Sequence, residues 1–325
     1  MSEMLALWSK RMLGFSCLFF GVVSTTSAQE TPGAQERKPI EVFLREVQVT
    51  KPDQYFTETV ALPPEDLFIV QFDPHASAEW VHHMLVYGCE HPTFSPGERN
   101  TQGTPMGRKC STGERLLYGW AKDAPGLTIP PDVGVPIGPS VELNFIVIEV
   151  HFLQVPPPQA WEGLGVVLQT TTQPKQYKAG LLSFAARFTI PPRTEHHEVM
   201  NTCCYNGHEP LHLFAFRVHT HTLGRENRLD RIASNGNVTR LLARSPQLPQ
   251  GFAALNDTVV IQPGDRLRAT CVFNSMERTT ETRAGATHDN EMCNVYLMGY
   301  ASVPYSLWCN DGHLIGQNAV AQQPR

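Results

Sequence analysis

The 325-residue chain has little that could cross a membrane. Its only long apolar run, Met12 to Val23, is too short for a confident span. Lys10 and Arg11 precede that run and the small residues Thr26-Ser27-Ala28 follow it, so residues 1–28 read as a secretory signal. No second such run occurs, and the mature protein is expected to carry no membrane span. Sustained helical periodicity is also missing, which excludes a helix bundle. Charge is sparse at 18%, and the formal net charge of −5 leaves no electrostatic footprint for nucleic acid or an anionic membrane. No cysteine pair has zinc-knuckle spacing, so a cysteine metal site is not expected.

What is present points to β structure. With 24 glycines and 26 prolines against 41% hydrophobic residues, the chain favours many short strands joined by tight turns. Its length exceeds one comfortable core and predicts two domains, 39–174 and 175–315, with the boundary in Pro156–Pro158 and Thr170–Lys175. Seven cysteines lie beyond the signal, predicting three disulfides and one thiol in an oxidising compartment. The count leaves the pairing open. Cys89 and Cys110 bracket a loop rich in Pro and Gly, and a bridge there would contribute about 3 kcal/mol. A Cys271–Cys293 bridge would immobilise Met292. Asn237-Val-Thr and Asn256-Asp-Thr are glycosylation sequons, compatible with secretion.

The chemistry concentrates in Leu211–Gly224, LHLFAFRVHTHTLG. As a strand it places Phe214, Phe216 and Val218 on one face and Arg217, His219 and His221 on the other. A His-x-His pair on a stiff backbone is a two-point metal clamp, and Arg217 adds a guanidinium fork suited to a carboxylate. The neighbours His82 and His83 would point to opposite faces of a regular strand. They predict a bulge or strand end, or ligation by Nδ1 of one ring and Nε2 of the other. In the strand-like run Val141–Phe152, His151 shares a face with Glu149, which could hold it as a hydrogen-bond acceptor. In Glu291–Tyr300, alternation puts Met292, Asn294, Tyr296 and Met298 on one face. His212 reads as structural, and His196, His197, His208 and His288 as exposed.

Three elements coincide: His82-His83-Met84 followed by Cys89, His212-x-Phe214 with His219-Thr-His221 and Gly224, and Glu291-Met292-Cys293. Together they resemble the copper type II, ascorbate-dependent monooxygenases over about Tyr55 to Cys309. Arg217, Ser245–Gln250 and Asn294-x-Tyr296 resemble the peptidylglycine α-hydroxylating branch. The resemblance implies two β-sandwich, jelly-roll-like domains, each carrying one copper across a solvent-filled cleft. It implies His82, His83 and His151 on the electron-transfer copper. It implies His219, His221 and Met292 on the oxygen-activating copper, with Arg217, Asn294 and Tyr296 holding the terminal carboxylate of a glycine-extended peptide. Ascorbate and O₂ would be the reductant and co-substrate. The donor chemistry agrees, since imidazole suits both copper oxidation states and a thioether favours Cu(I). A zinc hydrolase would more naturally use His₂Glu or His₃ with a carboxylate base.

The chain departs from the family pattern in places. Tyr87 stands where Phe is usual, Glu149 where glutamine is common, and Thr57 where relatives often have cysteine. By family spacing Cys204 would pair with Cys309, leaving Cys203 as the free thiol. With no room for a lyase domain before Arg325, a separate peptidyl-hydroxyglycine lyase is expected downstream. The expected location is the secretory-pathway lumen, a secretory granule or outside the cell. Two other readings stand beside this one. In the first, a related monooxygenase hydroxylates a phenethylamine-type small molecule, and Arg217 opposes it. In the second, the protein is a non-enzymatic secreted copper-binding protein, and the full ligand set together with Arg217 and Tyr296 opposes it.

Overall fold

A computed structural model describes residues 37–45, 47–98, 107–157, 163–287 and 289–318. The signal segment 1–28 and His288 lie outside the described residues. The regular structure of the described residues is all strand apart from one 3₁₀ turn at Pro139–Val141. No described helix is long and apolar enough to cross a membrane.

Phe145–Phe152, FIVIEVHF, is rich in β-branched and aromatic residues and apolar on both faces. It accordingly takes a central place in a four-stranded sheet, between Tyr55–Ala61 and Val81–Cys89, with Arg115–Trp120 outermost. The facing sheet contains Lys38–Phe43, Gly165–Thr171, Leu67–His75 and Val133–Ile137. Between them Phe72, Tyr118, Trp120, Ile148 and Phe152 form a dry core. In the second half, Tyr177–Ala185, Asn294–Ala301, Leu211–His219 and Ala253–Ile261 make one sheet. His197–Cys204, Arg266–Phe273, Gly224–Ile232 and Val238–Arg244 make the other, over a core of Leu182, Leu213, Phe216, Leu229 and Leu267. The fold is therefore two β-sandwiches. They are joined edge to edge, since Val133 and Gly134 pair in parallel with Tyr177 and Lys178.

Two bulges decide which side chains face the site. Along the Val81–Cys89 strand, His83 opposes His151 while Val81 opposes Phe152, so His82 is the extra residue. The bulge lets neighbouring imidazoles turn to the same side. A second bulge falls at Phe214, because Leu213 opposes Gly299 and Ala215 opposes Met298. Phe214 is thereby moved off the face of Phe216 and Val218, contrary to simple alternation. It packs in the first half's core, whereas Phe216 and Val218 pack in the second's. His212 is structural, its ring stacked 4.9 Å from that of Tyr300.

Cys89–Cys110 and Cys271–Cys293 form as expected. The third bridge is a correction: Cys203, and not Cys204, bonds to Cys309, and Cys204 is the free and exposed thiol. Alternation along His197–Cys204 explains the choice. Val199, Asn201 and Cys203 point inward toward buried Cys309, while Met200 and Cys204 point to solvent.

Candidate active site

The bulged strand brings three imidazoles to one point. His82 Nδ1 lies 3.0 Å from His83 Nδ1 and 3.2 Å from His151 Nδ1. His151 Nε2 lies 3.1 Å from Asp53 Oδ1, a carboxylate that only accepts, so Nε2 carries the proton and Nδ1 is left with a lone pair. Three Nδ1 atoms this close suit a shared cation, and the donor set fits a metal such as copper. The bulge, the first of the two arrangements expected for the His82–His83 pair, brings the Nδ1 atoms of both rings to this point. The carboxylate behind His151 is Asp53 and not Glu149. Glu149 instead pairs with Lys109 at 2.8 Å, both side chains almost fully buried. An anion in that strand needs a partner, and the pairing supplies one.

The second group is built from two adjacent strands. Antiparallel register sets Arg217 opposite Tyr296 and His219 opposite Asn294. His221 Nδ1 lies 2.9 Å from the Asn290 carbonyl, which only accepts, so Nδ1 carries the proton and Nε2 keeps its lone pair, the reverse of His151. Met292 shares the face, its Sδ 3.7 Å from Asn294 Nδ2, and Asn294 Nδ2 lies 3.1 Å from the Tyr296 hydroxyl. Glu291 is 0% exposed and organises this corner. Its carboxylate accepts from the backbone N–H of His221 at 2.8 Å, Leu223 at 2.6 Å and Met292 at 3.2 Å. Burial raises its pKa, and those three donors oppose the rise.

The rings of the two groups meet. His82 and His221 centroids are 6.0 Å apart, and His83 and His219 6.3 Å. Where the resemblance implied a solvent-filled cleft, this structure has edge contact. Burial first, then neighbouring histidines and Arg217, holds His83 well below the usual imidazole range, and burial followed by Arg217 does the same to His219. Neutral imidazoles are the form that binds a metal.

Arg217 is 3% exposed, and among the described residues no carboxylate pairs with it. Its Nε donates to the Gln250 carbonyl at 2.7 Å, and its guanidinium carbon sits 5.1 Å from the Tyr296 ring centre. It lies over Gly119 of the first half, where a Cβ would come within 3.3 Å of that carbon. Tyr296 also lines a cavity of about 500 Å³ with Leu85, Tyr87, Leu116, Leu181 and Trp308. The nine expected site residues thus come from both halves, and the ring contacts bring the two histidine groups together across the join. Asp53, Lys109 and the roles of Gln250 and Glu291 were not foreseen, although Gln250 and Glu291 lie in segments that carry the resemblance, because each partner is distant in sequence and leaves no local pattern.

Residues 40–156 match the N-terminal domain of copper type II ascorbate-dependent monooxygenases, and residues 177–314 match the C-terminal domain. The chain is 32% identical over 306 residues to peptidyl-glycine alpha-amidating monooxygenase A of Xenopus laevis, covering 92% of this chain and 31% of that protein. It is 35% identical over 261 residues to the Rattus norvegicus peptidylglycine alpha-amidating monooxygenase, covering 78% and 26%. DBH-like monooxygenase protein 1 of Homo sapiens is 29% identical over 252 residues, covering 69% and 40%. The chain spans about a quarter to a third of the length of the amidating relatives it matches. Two matched domains in the family's order, over a donor set suited to copper, make this chain a member of the copper type II ascorbate-dependent monooxygenase family.

Proposed function

We propose that this protein is a peptidylglycine α-hydroxylating monooxygenase. The observation that carries the reading is the buried Arg217 guanidinium, which has no carboxylate partner among the described residues. Holding a cation in so dry a place is unfavourable unless an anion joins it, and burial lowers its pKa. The C-terminal carboxylate of a glycine-extended peptide matches the fork, and Tyr296 and Asn294 stand beside it to complete the cradle. A phenethylamine offers no such group.

His82, His83 and His151 would hold one copper and His219, His221 and Met292 a second. Copper bound there supplies one-electron redox and the activation of O₂. Ascorbate delivers two electrons; one oxygen atom enters the glycine α-carbon and the other leaves as water after two protons are taken up. Arg217, Asn294 and Tyr296 fix the carboxylate so that the adjacent α-carbon, and not the side chain before it, faces the reacting oxygen. Asp53, Gln250 and the Asn290 carbonyl keep the imidazole tautomers in the ligating form. The hydroxyglycine product would pass to a downstream lyase to give a peptide amide. Three disulfides and the exposed sequon residues Asn237 and Asn256 support a secretory-lumen location.

The amine reading is favoured by the DBH-like relative. Copper-loaded protein with ascorbate and O₂ is offered a glycine-extended peptide and, separately, tyramine. One added oxygen on the peptide alone, lost in Met292→Ala, is the expected result. Oxygen on tyramine alone would move the protein to the amine reading. Two coppers bound with neither substrate oxidised would favour a copper carrier.

A further inference from the structure

Gln250 bonds to five residues at once and is 2% exposed. Its Nε2 donates to the Pro246 carbonyl at 2.6 Å and the Thr220 carbonyl at 3.3 Å. Two acceptors on that side fix the amide's orientation, because its own oxygen turned there would meet only lone pairs. Oε1 therefore faces His219 Nδ1, at 2.5 Å. An amide oxygen only accepts, so Nδ1 must carry the ring proton and Nε2 is left with its lone pair. The backbone is equally engaged. The Gln250 N–H donates to the Ala121 carbonyl of the first half at 3.0 Å, and its carbonyl accepts from Arg217 Nε at 2.7 Å.

The same segment also holds the backbone around the other histidine. Gln247 Nε2 donates to the carbonyls of His221 at 2.8 Å and Gly224 at 3.1 Å. Its Oε1 accepts from Lys122 Nζ at 2.9 Å, and the same ammonium reaches the Pro246 carbonyl at 3.3 Å. Residues 246–250 thus lie between a turn of the first half and the His-Thr-His of the second.

We propose that Gln250 is a positioning residue that sets the tautomer and aim of His219, and that the 246–250 segment couples docking of the first-half turn to this ligand. The inference rests on the reading of His219 as a copper ligand. Packing alone would make Gln250 matter only by its volume. The coupling predicts more: what counts is the oxygen facing Nδ1, and Lys122, which touches no histidine, counts too.

The test compares Gln250→Leu, Gln250→Glu and Lys122→Ala in the full chain. Copper affinities are measured by competition titration, with the His82–His83–His151 site as internal reference for folding. Gln250→Leu is expected to weaken the second site by about 10–100-fold and leave the first unchanged. Gln250→Glu keeps an acceptor oxygen and should stay closer to wild type. Lys122→Ala should weaken the same site by a smaller factor. Equal losses in the Leu and Glu variants, loss at both sites together, no loss in Gln250→Leu, or an unchanged second site in Lys122→Ala would each overturn the proposal. Peptide hydroxylation is not the readout, so failure of the proposed activity would be seen separately.

Discussion

Arg217 shows how much of the substrate argument rests on one side chain. It is buried, held by the Gln250 carbonyl at Nε, and stacked near Tyr296, so its remaining N–H groups are aimed rather than free. Lysine at this position keeps the charge and loses the fork. A charge-assisted hydrogen bond contributes about 1.5–3 kcal/mol, so Arg217→Lys should raise KM for a glycine-extended peptide by roughly tenfold to a hundredfold. An unchanged KM would remove Arg217 from substrate recognition. The imidazoles give a second residue-scale prediction. His83 and His219 titrate well below 6.5 in the folded protein, mainly through burial, while unfolded histidines titrate near that value. Below pH 6.5 the unfolded chain takes up protons that the folded one refuses. Stability of the metal-free protein is therefore full above that pH and declines beneath it. Thermal denaturation of metal-free protein between about pH 5 and 8 should show Tm falling on the acid side, and a flat profile would refute the depressed values.

At the scale of single elements, strand alternation and its interruptions account for most of the site. Arg217, His219 and the cross-strand Tyr296 and Asn294 follow directly from pleat and register. The bulge at His82 turns an awkward His-His pair into a convergent one. Alternation also separates the doublet Cys203-Cys204, and this can be tested by denaturation. The Cys203–Cys309 bridge closes a loop with a sequence separation of 106. In the loop-entropy picture Cys203→Ser should cost about 4–5 kcal/mol, and Cys204→Ser, at the surface, no more than about 0.5 kcal/mol. The reverse ranking would restore the pairing expected from family spacing.

Across the whole molecule, the two sandwiches meet closely enough that one sheet runs through both and the first core takes in second-half side chains such as Leu181, Phe214 and Met298. The contact is tight beside the site. A Cβ on Gly251 would come 2.4 Å from the Ala124 Cβ of the first half. Overpacking typically costs about 1–3 kcal/mol, and here it would act on the join itself. Gly251→Ala should lower Tm and increase the radius of gyration measured by small-angle scattering, as the halves are wedged apart. A stable variant of unchanged dimensions would mean that the join yields without separating. The ring contacts of His82 with His221 and His83 with His219 depend on that join.

Much of this was legible before any coordinates. The mainly β class, the two halves, Arg217 with His219 and His221, and Met292 with Asn294 and Tyr296 all follow from composition and alternation. Those are properties of the backbone over a few residues, and covalent geometry enforces them wherever a strand forms. Only the tertiary structure decided that Asp53 backs His151, that Lys109 neutralises Glu149, that Gln250 orients His219 and that Glu291 gathers three backbone N–H groups. It also decided the bulge that turns Phe214 away and the choice of Cys203 over its neighbour. Each of these depends on which distant segment lies opposite and in what register. Register is settled by the packing of both cores together, a sum over many long-range contacts that no local stretch of sequence contains.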